Sequence, residues 1–383
     1  MFKTGSFEMP LHGGGVPRWL WVRMTSLAKN IFTIMVEEVG VKGVLEKLSD
    51  PLFFQALSNV LGFDWDSSGS TTVTCGVLRE VFDKCELGVK VAGGKGGRSK
   101  KTLNEVEIFG EKFNLPGWKI EGLKYASRMV AKVDNTAIQA GYQLYHHSFF
   151  IAEDGLWAVI QQGLNAQTLT ARRYHWFSCK VKSFVEEPHQ GFSGQMIHEN
   201  VLNMVAVESR ECRKVCVDIL NENPDKVRRC WLTILKPNQT FLTNENDKLK
   251  VKLKTFNYKL LPENVNWDAL YKAYEVKPKG FEEILAVKGI GPSTIKALAL
   301  ISELIYGAKP SWEDPLKFSF AFGGKDGIPY PVRRRVMDNA IRFLREILEA
   351  SEIERKEKLE ALKRLKNFAP KTLNYFAYAQ QKV

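Results

Sequence analysis

The run Ile284-Leu285-Ala286-Val287-Lys288-Gly289-Ile290-Gly291-Pro292-Ser293-Thr294-Ile295-Lys296-Ala297-Leu298 constrains this chain more than any other segment. Apolar residues at helical spacing flank Gly-Ile-Gly-Pro, which predicts two helices folded back on one another about a glycine turn. Glycine tolerates positive φ and lets main-chain N–H groups approach a ligand closely. Ile290 is expected to plug the bend into the core. Pro292 suits the first turn of the second helix, whose free N–H groups and dipole favour a phosphate. Lys288, Gly289, Gly291, Ser293, Thr294 and Lys296 are therefore the expected DNA-backbone contacts. Contacts of this type carry affinity and register but no base information. The alternative is a tight turn that binds nothing.

Charge points the same way, weakly. The 55 Lys+Arg exceed the 43 Asp+Glu, leaving +12 over 383 residues, an excess that favours a polyanionic partner. No run of apolar residues is long enough to span a membrane, and the N-terminus lacks the pattern of a secretory signal. The six cysteines (Cys75, Cys85, Cys179, Cys212, Cys216, Cys230) form no CxxC pair, so they are expected to be small buried residues or free thiols in a reducing cytoplasm. Neither a metal nor a small-molecule cofactor is expected.

Along the chain, helical spacing is predicted for Pro17 to Lys47, for Leu52 to Leu61 after the capping Asp50-Pro51, and for Thr71 to Cys85. A glycine-rich basic loop at 93–102 precedes helices near 104–113 and over 119–141. Tyr142–Ile151 and Leu156–Gln162 read as strands joined by the turn Glu153-Asp154-Gly155, and Tyr174–Val185 as a further antiparallel strand. Helices are expected again over 199–222, from Trp267 to Gly307 with one break at 289–291, and from Val336 to Leu365. Residues 308–332 read as a long loop. The expected fold is mainly α (α+β). An N-terminal domain, 1–235, carries helices around a small antiparallel sheet; a linker or arm spans 236–265, and a helical domain with the glycine hairpin spans 266–383.

Two resemblances add to this. Residues 281–315 resemble the helix-hairpin-helix base-excision glycosylases. In their lyase-competent members a Schiff-base lysine stands two residues after the second glycine, where this chain has Ser293. Asp314 is a late echo of their aspartate, so any reactive amine must come from elsewhere. The second resemblance covers nearly the whole chain. Its blocks are Met9–Gly14, LSDPLFFQALSNVLGFDWDSSG (48–69), VAGGKG (91–96), YASRMVAKVDN (125–135), GYQLYHH (141–147), ARRYHW (171–176), SFVEEPHQG (183–191) and FSFAFGGKDGIPYPV (318–332). In that order they are similar to a prokaryotic, largely archaeal family catalogued as domain of unknown function 763. That resemblance implies AP lyase activity on abasic DNA, as in its hyperthermophile members, with a fold unlike other repair enzymes.

Lyase chemistry needs an amine that is neutral part of the time, so burial or nearby positive charge must lower its pKa. A carboxylate or histidine can shuttle protons. Lys132 is the first candidate, beside Asp134 and one turn after Arg128, with a solvated Lys132–Asp134 pair as the plainer reading. Lys95, between glycine pairs, is second and suits phosphate grip as well as catalysis. Lys325, in another glycine turn, is third and is also a DNA-contact candidate. His146 is the histidine candidate; His146 and His147 are expected on opposite faces of a strand, one buried and one exposed. His175 is expected on a surface strand near phosphate. Asp64 and Asp66 form the carboxylate pair that a metal-dependent nuclease would use, or a helix-capping turn. The expected partner is DNA with abasic sites. The alternatives are a non-catalytic, sequence-independent DNA binder and a metal-dependent nuclease.

Overall fold

The computed structural model describes residues 16–62, 68–194, 197–235, 260–262, 264–316, 334–351 and 355–368. Helices α1 (Arg18–Ser49), α2 (Pro51–Leu61) and α3 (Ser68–Lys84) come first. Gly40, at φ 68°, kinks α1. Asp50 caps α2 as its Asp-Pro signature predicts: its carboxylate accepts the N–H groups of Leu52 (2.8 Å) and Phe53 (3.2 Å).

Strand β1 (Val89–Lys95), a short 3-10 turn (Gly96–Lys101), α4 (Thr102–Lys112) and α5 (Gly117–Lys132) follow. Then come β2 (Ile138–Gln139), β3 (Gln143–Ala152), β4 (Trp157–Asn165), β5 (Thr170–Phe177), β6 (Gly191–Gly194) and β7 (Leu202–Asn203). Five strands form an antiparallel sheet in the order β1-β3-β4-β5-β6, and β2 pairs with β7. The chain continues through α6 (Arg210–Asn221), α7 (Pro224–Leu235), α8 (Trp267–Val276), α9 (Phe281–Ala286), α10 (Pro292–Leu304), α11 (Arg334–Ala350) and α12 (Arg355–Phe368). The mainly helical α+β class expected from the residues is the one observed.

Strand side chains alternate between two cores, one on each face of the sheet. Phe149, Ile151, Val159 and Trp176 face a core filled by α4–α10; Phe150, Ala152, Ile160 and Phe177 face a second filled by α1–α3, α11 and α12. Helices from 266–383 are thus shared between the faces. Ile290, Ile295 and Leu298 join the first core, while Leu344 and Leu348 join the second. Most of the expected linker, 236–265, lies outside the described residues.

Several boundaries differ from the periodicity reading. The helix expected over 119–141 ends at Lys132, where a single π turn, Val133–Ala137, leads into β2. The stretch 199–222 is helical only from Arg210, because Leu202–Asn203 pairs with β2. Lys277, at φ 55°, breaks 267–307 a second time, between α8 and α9. The final helix is two, α11 and α12. Among the described residues no helix is long and apolar enough to cross a membrane.

Candidate functional site

The glycine hairpin between α9 and α10 is docked on the end of α5. Tyr125 of α5 donates its hydroxyl to Glu282 (2.7 Å). At the turn itself, three successive side-chain donors hold three carbonyls. Asn266 Nδ2 donates to Gly289 O (3.2 Å), Lys132 Nζ to Ile290 O (2.6 Å), and Gln139 Nε2 to Pro292 O (2.9 Å). With the carbonyls tied to the protein, the amides of Gly289 and Gly291 donate to no partner among the described residues. Lys288 and Gly289 are exposed and Gly291 half-buried, whereas Ile290 is buried as the plug it was expected to be.

Only one of the two glycines uses positive φ. Gly289 sits at φ 97°, and a Cβ there would meet Ala269 Cβ at 3.1 Å. Gly291 is extended (φ −132°, ψ −175°), with open space where a Cβ would stand. Its role is therefore clearance in front of the α10 N-terminus, not left-handed backbone. That terminus has Pro at its start and, among the described residues, no side-chain cap, which leaves its first N–H groups free of them.

Lys132 is half-buried, and burial lowers the pKa of its amine below the ordinary lysine value. Lys296, on α10, is lowered by burial in the same way. Lys132 and Asp134 do not meet, because side chains two apart on a helix do not face each other. Asp134 is wholly buried on the sheet side instead. Its carboxylate accepts Gln161 Nε2 (2.5 Å), Trp176 Nε1 (2.9 Å) and His189 Nε2 (2.5 Å). Gln161 Oε1 in turn accepts His147 Nδ1–H (2.6 Å), and His147 Nε2 accepts the Ser127 hydroxyl of α5 (2.9 Å). Those roles require the neutral imidazole, and burial lowers the pKa of His147 accordingly. Asp134 thus braces α5 against β4 and β5. His189 and Gln161, central to this network, carry no spacing signal in the sequence.

The other expected residues lie apart. His146 and His147 do point to opposite faces, but both are buried, since β3 is covered on both sides. His146 stands with Ser148 on the α3 side of the sheet, its Nε2 3.0 Å from Ser148 Oγ and its Nδ1 without a partner among the described residues. Burial, then His147 and Lys95, push its pKa down to about 3. Lys95 is exposed at the end of β1, paired across the strands with His146. Thr294 is buried, and its hydroxyl accepts the Asn266 N–H (3.3 Å), so it faces the protein rather than the exposed turn. Ser293 is half-buried beside it. His175 is fully buried in β5, between β4 and β6, not on a surface. Asp314 is taken up in a buried ion pair with Arg172 (2.6 Å). Lys325, Asp64 and Asp66 lie outside the described residues. Among the described residues no group of three or more His, Cys, Asp and Glu side chains could hold a metal ion.

A two-faced antiparallel sheet whose central helix carries a half-buried amine to an open glycine turn defines the architecture. The chain belongs to the family described as protein of unknown function, DUF763, whose model matches residues 5–332. No curated protein matches it, and no solved structure does.

Proposed function

We propose that this chain grips the DNA backbone through the Gly289–Gly291 turn and cleaves at abasic sites as an AP lyase, with Lys132 Nζ as the attacking amine. The observation that carries the reading is the contact of Lys132 Nζ with Ile290 O, between two glycine amides that have no partner among the described residues. The turn and its flanking helices resemble the helix-hairpin-helix of base-excision glycosylases, which supports the phosphate role. Ser293 stands where those enzymes carry their lysine, and Lys132 brings an amine to the same turn from another element. Membership of the DUF763 family supports the activity through the hyperthermophile members that it resembles.

In the proposed reaction, neutral Lys132 Nζ adds to the C1′ aldehyde of the open-chain sugar, and water leaves to give a protonated imine. The imine acidifies C2′. Loss of the C2′ proton forms the C2′–C3′ double bond and expels the 3′ phosphate; water then hydrolyses the imine and returns the amine. Burial of Lys132 raises the neutral fraction on which the first step depends. No cofactor or metal enters these steps. A cytoplasmic location goes with this reading, and six free cysteines support it.

A second reading, DNA binding without cleavage, is favoured by the same hydrogen bond if Lys132 serves only as a strut under the turn. Borohydride reduction with an abasic duplex separates the two. A covalent adduct on the peptide containing Lys132 is expected. Folded protein that binds the duplex but yields no adduct would leave binding alone. Cleavage abolished by chelator would instead return the metal-dependent nuclease.

A further inference from the structure

Between β1 and α4 the chain places four cations in seven residues: Lys95, Arg98, Lys100 and Lys101, all exposed. None of them joins an ion pair among the described residues. Lysines elsewhere are drawn into ion pairs, as Lys84 with Glu80, Lys214 with Glu211 and Lys226 with Glu222. The Glu105 carboxylate beside the turn is already engaged: it takes both arms of Arg79 (3.0 and 2.9 Å) and the Gly93 N–H (2.7 Å).

The turn is also built rather than slack. Arg79 donates to Gly93 O (2.9 Å), Ser99 Oγ to Gly96 O (2.6 Å) and Thr102 Oγ1 to Ser99 O (2.7 Å). Gly93, at φ 85°, lies so close to β3 that a Cβ would stand 2.3 Å from His147 O. Gly94 and Gly96 also take positive φ, at 139° and 59°. A fixed turn with unpaired cations loses little freedom when it meets a repeating anion.

We propose that the turn Lys95–Lys101 is a second contact for the phosphate backbone of duplex DNA, acting together with the glycine hairpin; this rests on the DNA-binding part of the reading above. One helix braces both contacts. Gly94 is the strand partner of His147, His147 is hydrogen-bonded to Ser127 of α5, and α5 reaches the hairpin through Lys132. Ser127 and Lys132 are separated by about 7.5 Å of helix. The whole path is about 30 Å, within one turn of B-DNA at ~34 Å. A separation of that size is one that a single duplex spans.

The test is binding of an abasic-analogue duplex across a salt series, with the full chain and its variants. The fourfold variant K95Q/R98Q/K100Q/K101Q is expected to weaken binding at least about ten-fold near 0.1 M salt, and to flatten the slope of log K against log salt by about two or more. A K95R/K100R/K101R variant keeps the charge and should bind as the parent does. A variant with K214Q and K226Q, drawn from paired lysines, should leave the slope unchanged. An unchanged slope in the fourfold variant, with the parent binding DNA, overturns this contact and leaves the hairpin reading standing. A parent that binds no duplex, but binds vesicles of anionic lipid through the same four residues, overturns both.

Discussion

Lys132 Nζ lies 2.6 Å from the carbonyl oxygen of Ile290, although 158 residues separate them in the chain. The contact joins the last residue of α5 to the middle of the glycine turn, and it makes Lys132 both a donor to backbone and an amine at an open surface.

A consequence for rate follows from burial. The attacking form is the neutral amine, and burial lowers the Lys132 pKa. Single-turnover cleavage should therefore rise with pH and level off below about 10.4, the value of a free lysine. Lys132→Arg keeps a donor for Ile290 O but cannot form the imine. Duplex affinity should stay within about three-fold while cleavage falls at least about a hundred-fold. An arginine variant that still cleaves at the parent rate would remove Lys132 from the chemistry.

The two turn glycines should separate stability from binding. Gly289→Ala forces a side chain into positive φ against Ala269 and should lower the unfolding free energy by roughly 1–2 kcal/mol. Gly291→Ala meets open space in ordinary extended backbone, so its stability should change by less than about 1 kcal/mol. Its new methyl group stands in front of the α10 N-terminus, and duplex affinity should drop several-fold. Chemical denaturation and anisotropy titration of the two variants check the pair. Unaltered DNA binding by Gly291→Ala would mean that no phosphate approaches there.

Acid should unfold this protein through its buried histidines. Burial lowers the pKa of His146, His147 and His175, with Arg173 adding to the effect at His175. The native state therefore binds fewer protons than the unfolded chain below about pH 6.5, the free-histidine value. Their contribution is complete above that pH and is lost as the pH falls, continuing for His146 towards about 3. Near pH 5 the loss from His146 is roughly 2 kcal/mol. Urea midpoints should decline steeply between about pH 7 and 5, and less steeply in His146→Gln. Equal slopes for parent and variant would show that His146 does not drive the transition.

Local chemistry made much of this legible. Asp50-Pro51 announced the cap of α2, Glu153-Asp154-Gly155 the β3–β4 turn, and Gly-Ile-Gly-Pro the bend with Ile290 as its plug. Each is decided within a few residues. The site was legible in its parts but not in its assembly. Lys132 was visible as a candidate, yet its partner proved to be a backbone carbonyl far along the chain rather than Asp134. The polar run Asp134-Asn135-Thr136 did not reveal where α5 ends, because apolar Val133, Ala137 and Ile138 continue a helix-like pattern through the π turn. His175 read as a surface group because a buried polar residue leaves no periodicity; it lies beside Arg173 and Leu48 O, in a strand where Arg172 and Arg173 are buried too and reach Asp314, α3 and α2.

The layers on the sheet's two faces also set an order of events during synthesis. The strands pack mainly on α1 and α3 on one face and on α4 and α5 on the other, whereas α10 packs on α6 and α7, and α11 and α12 on α2. It is α2, α6 and α7 that keep apolar faces bare until the last third of the chain has left the ribosome. Such long-range closure is slow and leaves those helix faces open to wrong partners. A nascent chain halted before residue 292 would thus be a client for chaperones rather than a smaller working protein.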